Sequence, residues 1–212
     1  MTTRDLTEHE VLVRPGAAPE APAGRTTGWW AMVLFIATES ATFAAILASD
    51  FYLRFSAKGD WPPAGEKEPG LVLPTIATVV IMVSCLPMLL GSLAAARGSR
   101  AGGLLGTLGA LAGGVAFLVL QVLDWRSEWP DSTISKDAYG SLFYAITGLH
   151  AAHVLIGVGM LAFLLVSLAV RRAAARPRGP VSLVAMYWYF MSVVAVAVYL
   201  TVYLAASLWA TR

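Results

Sequence analysis

Long apolar runs alternate with shorter polar stretches along the chain, and each run is long enough to form a membrane-spanning helix. A bilayer core about 30 Å thick requires roughly 20 residues of helix. The runs cover about residues 29–51, 71–95, 102–123, 141–170 and 181–208. The pattern predicts an all-α polytopic membrane protein in which residues 29–212 form one bundle of five transmembrane helices.

Composition supports a membrane protein and sets apart one polar segment. Of the 212 residues, 58% are hydrophobic and 13% are charged, whereas soluble domains are nearer half apolar and a quarter charged. Residues 1–28 are polar and rich in Ala, Pro and Gly, without the apolar core and cleavage site of a signal peptide. We expect a disordered cytoplasmic tail there. Nothing indicates nucleic-acid binding, because the arginine clusters flank the predicted spans.

Basic residues are distributed unevenly between the two sides of the predicted membrane. If the N-terminus is cytoplasmic, most of the 15 lysines and arginines fall on the inner side. These inner residues are Arg4, Arg14, Arg25, Arg97, Arg100, Arg171, Arg172, Arg176 and Arg178. Since cytoplasmic loops carry an excess of Lys and Arg, the bias predicts a cytoplasmic N-terminus and an outer C-terminus.

Three ionisable side chains, Glu39, His150 and His153, are predicted to lie far from either membrane surface. Glu39 is about 15 Å beyond the first interface, at 1.5 Å per residue, and the histidines reach a similar depth from the opposite side. An unpaired charge is expensive there, so a partner or a function is expected. The final helix brings four more side chains to this layer: Tyr187, Trp188, Tyr189 and Ser192.

Three interpretations of this polar layer remain open. His150 and His153 are three positions apart and share a helix face, so they could bind one metal ion with Glu39. The three groups could instead form a buried hydrogen-bonded network in which burial favours a neutral Glu39, and this is the interpretation we favour. They could also relay protons along a path to water. A bis-histidine haem is disfavoured because the only other histidine, His9, is in the tail.

Small residues recur at every fourth position in the third predicted helix. They are Gly102, Gly106, Ala110 and Gly114. In lipid, this spacing allows two helix backbones to approach closely. The ridge predicts helix packing, either within the bundle or against a separate subunit.

The deep polar residues belong to motifs that resemble the haem–copper oxidase (cytochrome c oxidase) subunit III family. "LFIATESATFAAILASDFYLRF" resembles the helix that this family builds around a buried glutamate, here Glu39. "QVLDW", followed by "AYGSLFYAITGLHAAHVLIG" with His150 and His153, is similar to the next family signature. "MYWYFMSVVAVAVYLTVYL" is similar to the final helix, although Tyr189 and Ser192 stand where histidine and aspartate are usual. Five spans rather than seven resemble the shorter bacterial form.

The resemblance implies a non-catalytic subunit of a proton-pumping terminal respiratory oxidase that reduces oxygen to water in a bacterial plasma (inner) membrane. This chain would carry no catalytic centre and no metal, and haem and copper would lie in the partner subunits I and II. It would bind phospholipid, stabilise the catalytic subunit and support proton uptake. Candidate lipid or subunit contacts are Trp125, Tyr187, Trp188, Tyr189 and Ser192.

Two further functions remain alternatives. The chain could be subunit III of a quinol oxidase or the related protein that accompanies nitric oxide reductase. More remotely, it could be a stand-alone transporter or a metal-dependent membrane enzyme, although no pair of inverted, broken helices is visible in the sequence.

Overall fold

A computed structural model of the chain describes residues 25–56, 69–129, 138–170 and 178–210, and every regular element in these ranges is helical. The helices are α1 (Thr27–Ser56), α2 (Val72–Ala96), α3 (Arg100–Glu128), α4 (Ala138–Val170), α5 (Arg178–Val198), a π-helical segment (Tyr199–Leu204) and α6 (Ala205–Ala210). The last three are continuous and provide the fifth of five stretches that are long and apolar enough to cross a membrane. The predicted all-α bundle of five spans is confirmed.

Two helices extend further than the sequence pattern predicts. α1 ends at Ser56 rather than near residue 51, and α3 ends at Glu128 rather than near residue 123. The apolar pattern ends these two spans beside charged residues, Asp50 and Asp124. The structure buries Asp50, Arg54 and Asp124 inside the bundle, so the helices continue through them.

The predicted N-terminal tail lies mostly outside the described residues. The described part begins at residue 25, and α1 begins at Thr27, two positions before the predicted span. The predicted sidedness of the membrane stays a prediction. The end of the bundle at which α1 and α3 finish, close to the π-helical segment, is called the far end.

A short turn joins α2 to α3. Gly98 has a φ of 84°, the left-handed conformation that commonly ends a helix and that glycine adopts without a steric penalty. Ser99 then caps α3, because its side chain accepts a 3.1 Å hydrogen bond from the Gly102 backbone N–H. The sequence at this turn therefore makes α2 and α3 an antiparallel pair.

The predicted ridge of small residues on α3 packs inside this bundle, mainly against α2. A Cβ atom added to Gly91 would lie 2.7 Å from the Gly106 Cα, and one added to Gly106 would collide with Gly91 and the Pro87 carbonyl. A Cβ added to Gly102 would collide with the Cβ of Ala94, so this glycine leaves room for a small side chain on α2. Only residues without side chains allow this backbone-to-backbone approach.

The buried core continues from this pair into α4 and α5. Trp188 of α5 is fully buried and lies over two glycines, Gly114 of α3 and Gly157 of α4. Its indole N–H donates a 3.0 Å hydrogen bond to the Ser84 hydroxyl of α2. The tryptophan therefore fills the space that the glycines leave and joins four helices.

α1 lies against α4 and α5 at the side of the bundle and is the least enclosed helix. Of its 30 residues, only Phe43, Asp50 and Arg54 are buried, whereas α4 buries twelve of 33. Phe43 packs into a second apolar cluster with Tyr187 and Met191 of α5. Most of the α1 surface therefore faces outward.

Candidate functional site: a carboxyl–imidazole pair and its neighbours

Glu39 of α1 and His153 of α4 meet about halfway along their helices, at the side of the bundle where α1 lies. The Glu39 Oε2 and His153 Nε2 atoms are 2.8 Å apart, and the two side chains are 20% and 12% exposed. The His153 Nδ1 atom lies 2.8 Å from the Leu149 carbonyl oxygen one turn earlier in α4. The structure thus brings together two of the three residues that the sequence placed in one layer.

This geometry fixes where the proton of the pair can lie. The Leu149 carbonyl can only accept, so His153 Nδ1 must carry a hydrogen. The bond between His153 Nε2 and Glu39 therefore holds one proton, either on a neutral glutamic acid or on an imidazolium beside a carboxylate. The contact is therefore a hydrogen bond in which one proton lies between the two side chains, and each side chain is the other's partner.

Tyr187 supports the pair from α5. Its hydroxyl donates a 2.9 Å hydrogen bond to the His153 carbonyl oxygen, and its ring packs against that of Phe35 with the centroids 5.9 Å apart. One tyrosine therefore holds the α4 backbone at His153 and contacts α1 beside Glu39.

His150 does not join this pair, which corrects the predicted three-residue network. Residues three apart on a helix differ by about 60° around its axis, so His150 points into the bundle while His153 points at α1. Its ring is 2% exposed and lies at T-shaped angles to the rings of Phe43 and Phe117. Neither ring nitrogen has a hydrogen-bond partner among the described residues.

A second polar cluster, which sequence reasoning missed, lies toward the far end. The Tyr203 hydroxyl donates a 2.7 Å hydrogen bond to Asp124 Oδ2, and the Gln121 amide donates to the same oxygen at 3.3 Å. Glu128, one turn further along α3, accepts a 2.9 Å hydrogen bond from the Gly70 N–H. The signal was available in the spacing of Gln121, Asp124 and Glu128, which places all three on one face of α3.

A buried ion pair anchors the far end of α1 and was also missed. Arg54 is 1% exposed, and its Nη2 atom lies 2.9 Å from Asp50 Oδ2, one turn earlier. The same Nη2 donates a 2.9 Å hydrogen bond to the Thr201 carbonyl in the π-helical segment. The i, i+4 spacing of opposite charges in the sequence could have indicated the ion pair. Nothing in the sequence indicates the contact with the Thr201 carbonyl, which is 147 positions away.

Most of the residues predicted to touch lipid or another subunit are inside the bundle. Tyr187 and Trp188 have no exposed surface and Ser192 has 1%, so their side chains are not available at the surface of this chain. Ser192 accepts a 3.1 Å contact from the Cys85 thiol of α2. The prediction failed because helix 5 is central to the bundle, which a helical wheel of that helix alone cannot show.

The other two predicted contacts are partly exposed. Trp125 donates a 3.0 Å hydrogen bond from its indole N–H to the Thr147 hydroxyl, which links α3 to α4. Tyr189 is partly buried against the α2–α3 core. Both keep some surface for an external contact, so that role stays a prediction for them.

In the part of the chain that the structure describes, no three His, Cys, Asp or Glu side chains gather in a group that could hold a metal ion. Glu39 and His153 provide two donors, and His150 faces away from them. The described residues therefore do not supply the donor set that a metal site built on this pair requires.

The fold and the paired site together define an integral membrane protein, a five-helix bundle in which a carboxyl–imidazole pair joins the peripheral helix α1 to α4. The family model for cytochrome c oxidase subunit III matches residues 22–207. The probable cytochrome c oxidase subunit 3 of Nocardia farcinica is 30% identical over 172 residues, which cover 81% of this chain and 84% of that protein. The corresponding protein of Mycobacterium tuberculosis gives the same values. The chain belongs to the cytochrome c oxidase subunit III family.

A fused relative adds to this comparison. A protein of Aeropyrum pernix named heme-copper oxidase subunit I+III is 31% identical over 182 residues, which cover 82% of this chain and 22% of that protein. The resemblance predicted from the sequence motifs is confirmed. This chain is a multi-pass membrane subunit of a haem–copper oxidase complex.

Proposed function

We propose that this chain is the non-catalytic third subunit of a proton-pumping terminal oxidase in a bacterial plasma membrane, with its N-terminus in the cytoplasm. Haem and copper would be bound by partner subunits I and II. The chain has only three histidines, too few to ligate the haems and copper of such an oxidase. The relative whose name joins subunits I and III supports subunit I as the direct neighbour.

The Glu39–His153 contact is the observation that carries this proposal. It is the described hydrogen bond that joins the middle of α1 to α4, and α1 is otherwise poorly enclosed. We infer that the pair holds α1 in place, so that its outward face can bind phospholipid or the catalytic subunit. Because the pair also holds a transferable proton, it can buffer proton uptake beside the catalytic subunit.

Two substitutions at Glu39 separate tethering from proton storage. Glu39→Gln keeps a donor for His153 Nε2 but cannot release a proton, whereas Glu39→Leu loses both functions. We expect E39Q to retain the third subunit and the initial rate of oxygen reduction, but to lose activity sooner during sustained turnover. We expect E39L to lose the third subunit during purification. Haem content should be unchanged in both.

The matched control is Thr38→Val, one position away on the outward face, where the hydroxyl bonds only to carbonyls of its own helix among the described residues. It should behave like the wild type. Immediate loss of all activity in E39Q would instead indicate a direct catalytic role. Migration of this chain apart from any haem-containing complex in native gels would contradict the proposal.

A further inference from the structure

The imidazole of His150 is a buried polar group that neither the Glu39–His153 pair nor the far-end cluster uses. It is 2% exposed, and both ring nitrogens are without a hydrogen-bond partner among the described residues. The Phe43 and Phe117 rings beside it offer no conventional donor or acceptor. Buried polar groups in proteins nearly always have a partner, either another protein group or an ordered water.

The same imidazole lines a small cavity between α2, α3, α4 and α5. The cavity has room for about one water molecule. Most of its lining surface is apolar, from side chains such as Ala77, Phe117 and Val198. Five of its lining residues carry polar groups, which are Thr78, Gln121, His150, Tyr199 and Tyr203.

The polar lining supplies the hydrogen bonds that a buried water requires. A buried water makes about three hydrogen bonds and needs at least two polar partners. The Thr78 hydroxyl donates to the Pro74 carbonyl and still has lone pairs with which to accept. The Thr75 hydroxyl donates to the Leu71 carbonyl, so the Tyr199 hydroxyl donates to Thr75 at 2.8 Å and can still accept. A neutral imidazole offers one donor and one acceptor nitrogen, and water can pair with either.

We propose that this cavity is a binding site for a single structural water molecule that hydrogen-bonds a ring nitrogen of His150. The water links α4 to polar groups on α2, α3 and the π-helical segment. Through Gln121 and Tyr203 it lies next to the Asp124 cluster. The site is separate from the proposed role of Glu39, since His150 and Glu39 share no hydrogen bond in the described structure.

The test is water-edited solid-state NMR of the full chain in lipid nanodiscs, with ¹⁵N-labelled histidine and arginine and ¹³C-methyl-labelled isoleucine. In a His9→Gln background the chain has two imidazoles, His150 and His153, and His150→Phe assigns their signals. We expect rapid magnetisation transfer from water to the His150 imidazole, comparable to that of the exposed Arg97 guanidinium. The fully buried Ile81 methyl groups provide the dry reference.

A double variant of the lining sharpens the result. Gln121→Leu together with Thr78→Val removes polar groups from the cavity and should slow transfer to His150 at least threefold. An unchanged His153 signal in that variant would show that the Glu39–His153 contact, and hence the fold, is preserved. His150 transfer as slow as that of Ile81 in the wild-type chain would overturn the proposal. A direct through-space contact of both His150 nitrogens with protein donors or acceptors would overturn it as well.

Discussion

The α2–α3 pair and α1 are held in the same bundle by opposite means. α2 and α3 approach until glycine backbones touch, with Gly91 against Gly106. α1 has no such ridge against its neighbours and is attached by a few side-chain contacts, chiefly through Glu39 at its middle and Arg54 at its far end. In lipid, apolar side chains gain little by leaving the solvent, so close packing and polar contacts must supply the attraction.

Because they are held by different forces, the two interfaces should fail in different ways. An interface of closely packed backbones loses stability when volume is added, and is insensitive to polar changes elsewhere. An interface of polar contacts tolerates added volume on its open side but depends on single atoms. Four substitution experiments test this contrast, and all can be read as changes in the free energy of unfolding measured by steric trapping in bicelles.

The largest effect is expected at the far end of α1. Arg54→Met leaves the Asp50 carboxylate buried without its partner and removes the bond to the Thr201 carbonyl. Breaking one half of a buried ion pair costs about 3 to 5 kcal/mol, and we expect a loss in that range. The double variant Asp50→Asn with Arg54→Met removes both charges and should recover at least half of the loss. No recovery would mean that the ion pair is not what anchors this end.

The second-largest loss in the free energy of unfolding is expected where α2 and α3 touch. Gly106→Ala adds a Cβ that collides with Gly91 and the Pro87 carbonyl, and over-packing of this kind costs about 1 to 3 kcal/mol. Alanine is a better helix former than glycine, so helix propensity alone would predict that the variant is more stable than the wild type.

The matched control for that substitution is Gly159→Ala in α4. A Cβ there would meet nothing within 4 Å, so the variant should be as stable as the wild type or slightly more stable. Equal losses in the two glycine variants would show that close backbone contact does not set the stability of α2–α3.

A smaller effect is expected at the middle of α1. We predict a coupling energy of about 1 kcal/mol between Glu39→Leu and His153→Phe in a double-mutant cycle, since hydrogen bonds between membrane helices are worth about 0.6 kcal/mol on average and rarely more than about 1.7. Strict additivity of the two substitutions would indicate that the observed 2.8 Å contact does not contribute to stability.

The smallest effect is expected for hydroxyl groups on the outward face of α1. Thr42 donates to the Thr38 carbonyl of its own helix at 3.2 Å and reaches no other helix in the described structure. Thr42→Val should change the free energy of unfolding by less than about 0.5 kcal/mol. A larger loss would show that this face depends on its hydroxyls and would weaken the distinction between polar groups that cross an interface and those that do not.

The number and type of the helices could be predicted from the sequence, because a span of about 20 apolar residues has few alternatives. The contact between Glu39 and His153 could also be anticipated, since both lie at one depth and each needs a partner. The direction of His150 could not be anticipated. A rotation of about 60° around the α4 axis separates a side chain that faces α1 from one that faces the core. The spacing of the two histidines does not show where the neighbouring helices lie.

The far-end cluster and the Asp50–Arg54 ion pair show the other limit of sequence reasoning. The apolar pattern ends the first and third predicted spans near residues 51 and 123, before Arg54 and Asp124, because charged residues usually mark the membrane surface. The structure satisfies them through Tyr203 and through the Thr201 carbonyl, both from a helix that is distant in sequence. A charge whose partner is remote along the chain has the same local sequence signature as a charge in water.

The π-helical segment in the last helix sets the positions of both remote partners, Tyr203 and the Thr201 carbonyl. Within Tyr199–Leu204 the chain winds with one additional residue per turn, and the Ala205 N–H donates to the carbonyl five positions earlier, that of Leu200. Compared with a continuous α-helix, the segment after it is therefore rotated about the helix axis relative to the segment before it. Adding or removing a single residue there would rotate Tyr203 away from α3 and move the carbonyl that holds Arg54, so a change in the fifth span would loosen the first.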